Sequence, residues 1–234
     1  MRIELQGFDG CPGLAPTRGL LAEVLSALEV SDSVDEVLLE SDADVRAHGF
    51  LGSPSVLVDG EDIEGRLAPG KTLCSRVYES EPVPPRWMIE AVVLRALVPR
   101  GVLFLCVANS ARSQLAEGIA RRLAGPQTTV FSAGSAPSHV QPLAIQVLDE
   151  IGIDIGRHHS KDVTEIPAES VDTVVTLCAE EVCPLWLGTA RRVHWGLPDP
   201  VGDAADAVQG FRTVRDELVK RLEFLFGNRL KRTV

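Results

Sequence analysis

No apolar run in this chain is long enough to cross a bilayer. The longest, residues 87–98, is interrupted by Glu90 and Arg95. Positive charge is scarce too: 23 Lys and Arg stand against 33 Asp and Glu, a formal net charge of -10, with a pI near 5.0. No basic face can offset that charge, which argues against a general nucleic-acid or anionic-membrane partner and requires any bound anion to be small and locally held. The opening residues Met1-Arg2-Ile3-Glu4-Leu5 have neither an apolar core nor a small-residue cleavage site, so no secretory leader is expected and a cytoplasmic location is. The 5 cysteines are an odd number and do not suggest a disulfide scaffold; in a reducing compartment they read as working thiols. A metal site is not expected either. Cys178 and Cys183 lack a second close Cys or His pair, and the adjacent His158-His159 reads as solvated surface.

The 234 residues, 45% hydrophobic and 24% charged, suffice for two ordinary domains. Val98-Pro99-Arg100-Gly101 breaks a helix and places the expected boundaries at 1–98 and 101–234.

The chemically loaded stretch is Cys106-Val107-Ala108-Asn109-Ser110-Ala111-Arg112-Ser113. An apolar strand, 102–105, enters it, and a helix with apolar positions at helical spacing, 113–124, leaves it. A Cys at the strand end and an Arg six residues on let the loop's N–H groups converge on one point while the guanidinium closes over it, which suits a tetrahedral oxyanion. The helix N-terminus and Arg112 favour the thiolate of Cys106, a nucleophile held beside a captured anion. Ser113 can donate to that sulfur, and Asn109 can brace the loop from within. None of the other cysteines has an Arg at this spacing.

In the first part, the pattern predicts strand 2–7, helix 15–28, strand 34–39, helix 42–47, strand 55–58 turning at Asp59-Gly60 into a hairpin, and a closing helix 87–97. This order resembles the thioredoxin-like fold, with Cys11 at the N-terminus of the first helix and Gly52-Ser53-Pro54-Ser55 where that fold keeps a cis proline. It departs from the family at Cys11-Pro12-Gly13-Leu14, which has no neighbouring second thiol; Cys74, 63 residues on, is the other cysteine of this part. A redox role for Cys11 and Cys74 and a docking or stabilising role for the whole part are both open.

In the second part, strands are expected at 102–105, 129–132, 171–177 and 192–195, alternating with helices at 113–124, 141–151 and 211–226. Such alternation predicts an α/β, flavodoxin-like parallel sheet of four strands with helices on both faces and function at the strands' C-terminal ends. Two further motifs lie at such ends, Cys178-Ala179-Glu180-Glu181-Val182-Cys183-Pro184 and His194-Trp195-Gly196-Leu197-Pro198-Asp199-Pro200. Together these stretches resemble the low-molecular-weight phosphotyrosine phosphatase fold and, within it, the thioredoxin-coupled arsenate reductases. The resemblance implies Cys106 as nucleophile, Asn109, Ser110, Arg112 and Ser113 as the anion loop, Asp199 as general acid, and Cys178 and Cys183 as shuttle thiols. It further implies arsenate as substrate, thioredoxin or another thiol reductant as partner, and no cofactor. Some relatives hold a potassium ion beside the loop; here Asn109 and Glu117 would serve it, but Lys161 stands where an acidic ligand would be. His194 and Trp195 are expected to orient the Asp199 loop by packing.

Electron counting favours a reductase independently, since reducing arsenate takes two electrons and thiols supply them by ending as a disulfide. A phosphatase needs no second thiol. Val201-Gly202-Asp203 after Asp199-Pro200 also lacks the aromatic residues that would grip a phosphotyrosine ring. The alternatives are a phosphotyrosine-type phosphatase and a non-catalytic oxyanion- or metalloid-binding regulator.

Overall fold

The structure, a computed structural model, describes residues 1–179, 186, 188–201 and 207–230. Cys183, one of the expected shuttle thiols, lies outside the described residues. The chain divides into two compact units, Met1–Leu97 and Val98–Val234.

In the first unit, strand β1 (Ile3–Gly7) runs parallel to β2 (Val34–Leu38) after the crossover helix α1 (Leu14–Ala27). It runs antiparallel to β3 (Ser55–Val58), and β3 pairs in turn with the short β4 (Glu61–Asp62), giving the order β2-β1-β3-β4. Alternation in β1 buries Ile3 and Leu5 completely. Asp59 and Gly60 both take positive φ, 52° and 85°, which is the twist a two-residue hairpin turn between β3 and β4 requires. Helix α2 (Asp42–His48) starts in a Ser41–Asp44 capping box and stops at Gly49, in the left-handed conformation. Its Val45 joins Leu39 and Phe50 in a small apolar cluster. Helix α3 (Arg86–Ala96) follows the proline-rich stretch and contacts α1 and β3. The Ser53–Pro54 peptide bond is cis.

Charge is also buried in this unit. Arg76 donates to both oxygens of Asp62 at 2.6 and 2.8 Å, to Glu64 at 2.8 Å and to Ser55 Oγ at 3.0 Å, with its guanidinium 4.4 Å from the Tyr78 ring centroid. Burial opposes the Arg76 cation, but the hydrogen bonds to Asp62 and Glu64 outweigh it and hold the side chain protonated beyond its ordinary range. Burial pushes the Tyr78 phenol well above its usual value.

The second unit has four parallel strands in the order β6-β5-β7-β8: β5 (Gly101–Cys106), β6 (Thr129–Gly134), β7 (Thr173–Cys178) and β8 (Arg191–Leu197). Every residue of β5 is buried, as a central parallel strand should be. Helices α4 (Arg112–Leu123), α5 (Pro142–Asp149) and α6 (Ala207–Phe226) pack on one another. Leu103, Leu105, Ala133 and Val174 form another core with Ile166, Val171 and Trp186. Among the described residues that core is covered by two 3-10 turns, Val163–Glu165 and Ala168–Ser170, rather than by a full helix. Pro167 explains this, because it forces Ile166 into an extended conformation between them. β8 runs to Leu197, longer than the expected 192–195, and α6 begins at Ala207 rather than Phe211.

Candidate active site

Cys106 ends β5 and Arg112 opens α4, so the five residues between them make the whole connection from strand to helix. The carbonyls of Val107, Ala108 and Ser110 accept from the backbone N–H groups of Ala136, Ser138 and Gln141 at 3.0, 3.1 and 3.0 Å. The Asn109 carbonyl accepts from Gln114 Nε2 at 3.1 Å and Ser160 Oγ at 2.7 Å. In a trans peptide the N–H points opposite the preceding C=O. Four successive carbonyls turned toward neighbouring chain therefore turn the N–H groups of residues 108–111 the other way, and none of these donors bonds to a described residue. The N-terminus of α4 adds its positive dipole end.

Asn109 holds this shape. Its φ is 45°, in the left-handed region where asparagine is among the better-tolerated side chains, and it is completely buried. Its Nδ2 donates to Ser113 Oγ and Ser132 Oγ, both at 2.8 Å, and its Oδ1 accepts from Gln114 Nε2 at 2.9 Å and the Lys161 N–H at 2.8 Å. Ser113 Oγ lies 2.9 Å from Cys106 Sγ. That oxygen accepts from Asn109, and either it or the sulfur can donate in the contact between them.

Behind this row stands Glu117, which is 1% exposed and accepts from Ser132, Arg121 and, at 3.2 Å, Lys161 Nζ. The place discussed above for potassium thus has the Lys161 ammonium on Glu117 and the Lys161 N–H on Asn109. His158 departs from its expected solvated position: it is half-buried, with Nδ1 2.9 Å from Gln114 Oε1 and Nε2 3.1 Å from Arg121 Nη1. Since Arg121 can only donate, Nε2 accepts and Nδ1–H donates to Gln114. Burial holds the imidazole below its ordinary range; Glu117 opposes this and Arg121 reinforces it. Gln114, Ser132, Ser160, Lys161 and His158 are supporting residues that sequence reasoning did not assign.

Arg112 is 5% exposed; its Nη1 donates to the Leu197 carbonyl at 3.1 Å and its Nη2 lies 3.8 Å from Asp199 Oδ2. Asp199 is half exposed and accepts from the Val201 N–H at 3.1 Å. Ser110 is buried within the loop. Cys178 ends β7, is 1% exposed and pairs in register with Leu197, the residue that anchors Arg112. The structure therefore gathers Cys106, Asn109, Ser110, Arg112, Ser113 and Asp199 around one loop, with Cys178 at the end of the strand beside it. His194 is not part of this group. It is exposed, and its Nδ1 lies 2.8 Å from Thr176 Oγ1, whereas Trp195 is buried. Cys11 and Cys74 belong to the first unit.

Gly134 has no room for a side chain. A Cβ there would stand 2.3 Å from the Val107 carbonyl and 2.7 Å from the Asn109 nitrogen. Gly134→Ala is expected to push the loop out of shape, at an overpacking cost of about 1–3 kcal/mol. A denaturation curve checks this number.

A thiol at a parallel-strand end is thus followed by amides turned away from the neighbouring chain, an arginine and a helix N-terminus. Residues 101–234 match the family described as Low molecular weight phosphotyrosine protein phosphatase, and the chain belongs to that family. It is similar to "Arsenate reductase" of Halalkalibacterium halodurans, 41% identical over 127 residues, covering 52% of this chain and 91% of that protein. It is also similar to "Arsenate reductase 2" of Staphylococcus saprophyticus, 37% identical over 129 residues, covering 54% of this chain and 96% of that protein. Among solved structures, "An arsenate reductase in the phosphate binding state" is 36% identical with a TM-score of 0.48, covering 55% of this chain and 97% of that one. No helix among the described residues is long and apolar enough to cross a membrane.

Proposed function

We propose that the second unit reduces arsenate to arsenite by passing the oxidation through three cysteines. The observation that carries this reading is Cys178, a second buried thiol at the end of β7, in register with the residue that anchors Arg112. Relatives named arsenate reductase support it. Arsenate sits on the N–H groups of residues 108–111 with Arg112 across it. The Cys106 thiolate attacks arsenic, and Asp199 protonates the oxygen that leaves as water. Cys178 then attacks the Cys106 sulfur: the Cys106–arsenic bond breaks, its electron pair stays on arsenic, and arsenite departs. Cys183 attacks Cys178 in the resulting disulfide and returns Cys106 as a thiolate. The Cys178–Cys183 disulfide is left for thioredoxin or another dithiol to reduce. The site works in the cytoplasm, where such reductants are maintained.

Hydrolysis of phosphate esters is the second reading, favoured by the family itself and by a half-exposed Asp199 near Arg112. Cys183→Ser separates the two. It is expected to limit arsenate reduction to about one arsenite per chain, while any hydrolysis of a small aryl phosphate stays within about 2-fold of wild type. Unimpaired multiple turnover of arsenate in this variant would remove the relay.

The first unit is read as thioredoxin-like. The β2-β1-β3-β4 sheet with Cys11 just before α1 supports this, as does the hydrogen bond from Cys11 Sγ to the Ser53 carbonyl, 3.4 Å, beside Pro54.

A further inference from the structure

The first unit contains two cysteines, 63 residues apart, and the fold ties both to one residue. Ser53 donates its N–H to the Cys74 carbonyl at 2.8 Å, and its own carbonyl accepts from the Arg76 N–H at 2.8 Å and from Cys11 Sγ at 3.4 Å. Residues 74–76 thus form an isolated parallel bridge with Ser53, and Cys11 reaches the same peptide from the start of α1. The bridge is firmly anchored. Arg76 and Tyr78, two and four residues beyond Cys74 in an extended stretch, are 2% and 0% exposed, held by Asp62 and by the Pro54 carbonyl. Cys74 itself is exposed, and the glycine at position 70, whose Cβ would stand 3.9 Å from its sulfur, adds no side chain to cover it. Cys11, by contrast, is 8% exposed and donates its S–H to a carbonyl.

We propose, resting on the thioredoxin-like reading of this unit, that Cys74 and Cys11 form one long-range dithiol in which Cys74 is the entry thiol and Cys11 the resolving thiol. Exposure sets the order. The Cys74 thiolate attacks a low-molecular-weight disulfide, forming a mixed disulfide and releasing one small thiolate. Cys11 then attacks the Cys74 sulfur and forms the Cys11–Cys74 disulfide. The second small thiolate leaves and takes the proton that Cys11 held against the Ser53 carbonyl. Two electrons pass from the protein pair to the small disulfide, and the reverse sequence makes the unit a donor. In place of the adjacency of a Cys-x-x-Cys motif, both cysteines are joined to Ser53, Cys11 through its sulfur and Cys74 through its backbone carbonyl.

The test uses the reduced full-length protein, excess oxidised glutathione, alkylation of remaining thiols and a tryptic map. Cleavage after Arg2, Arg18, Lys71 and Arg76 puts Cys11 in peptide 3–18 and Cys74 in peptide 72–76, separate from Cys106 in 101–112 and from Cys178 and Cys183 in 162–191. The expected product is a disulfide joining 3–18 to 72–76. Cys11→Ser should stop at glutathione on Cys74, and Cys74→Ser, a conservative change at an exposed site, should slow the loss of the Cys11 thiol at least 10-fold. Glutathione on both cysteines with no cross-linked peptide would overturn the pairing. Equal loss of Cys11 in wild type and Cys74→Ser would overturn the order. Arsenate chemistry is read from the other two peptides, so the two readings fail independently.

Discussion

Cys106→Ser is expected to reduce arsenate-dependent thiol oxidation at least ~10³-fold while leaving phosphate affinity within about 3-fold. Two losses combine in this substitution. A serine hydroxyl is a far weaker nucleophile than a thiolate at neutral pH. It also cannot form a sulfur–sulfur bond, so even a slow ester to arsenic leads nowhere: Cys178 has no disulfide to make. In the proposed reading the anion is held by donors the substitution does not touch, namely the N–H groups of residues 108–111 and Arg112. A thiol-consumption assay and a phosphate titration, run on the same preparation, give the split between turnover and binding. Loss of both together would mean that the loop had distorted and would say nothing of chemistry.

Arg76→Ala carries the largest expected change in stability, about 3–5 kcal/mol for the first unit. Its side chain is 0% exposed and that of Asp62 is 1% exposed, so truncation leaves a carboxylate buried without its cation. Glu64 and the Tyr78 ring lose the same partner. The cost comes from the unpaired charge rather than from a net gain the pair provided, which gives a second expectation. Arg76→Met combined with Asp62→Leu should recover most of the loss, because apolar groups of similar volume can replace a buried pair at little cost. Hydrogen exchange of the β1 and β3 amides, compared between the single and double variants, measures both. Equal protection in wild type and Arg76→Ala would contradict the buried-pair account.

The strand, loop and helix around Cys106 were legible in the sequence because they are contiguous from Val102 onward, and a Cys-to-Arg spacing needs no long-range information. Ser113 and Asn109 were legible for the same reason. Alternation also showed where β1 would lie, and apolar runs showed β3 and β5. What escaped depends on residues far apart in the chain. Lys161 reaches Glu117 and Asn109 across 44 and 52 positions; only the family resemblance put it near them, and no local pattern shows the bonds. His158 was misread, since nothing local shows that Gln114 will face it. Arg76 with Asp62 and Glu64 likewise resembles an ordinary charged surface stretch. The two 3-10 turns around Pro167 escaped because a short, proline-broken segment has no period to detect. Cys183 remains an assignment from the motif alone.

The most direct measurement uses the fully reduced chain, freed of external reductant and given arsenate in slight excess, with arsenite, thiols and the tryptic peptides counted after a single round. The account predicts about one arsenite per chain, two thiols lost, and the new disulfide inside peptide 162–191, joining Cys178 to Cys183, with Cys106 recovered as a thiol. Arsenate bound at the loop with every thiol intact and no arsenite released would contradict it.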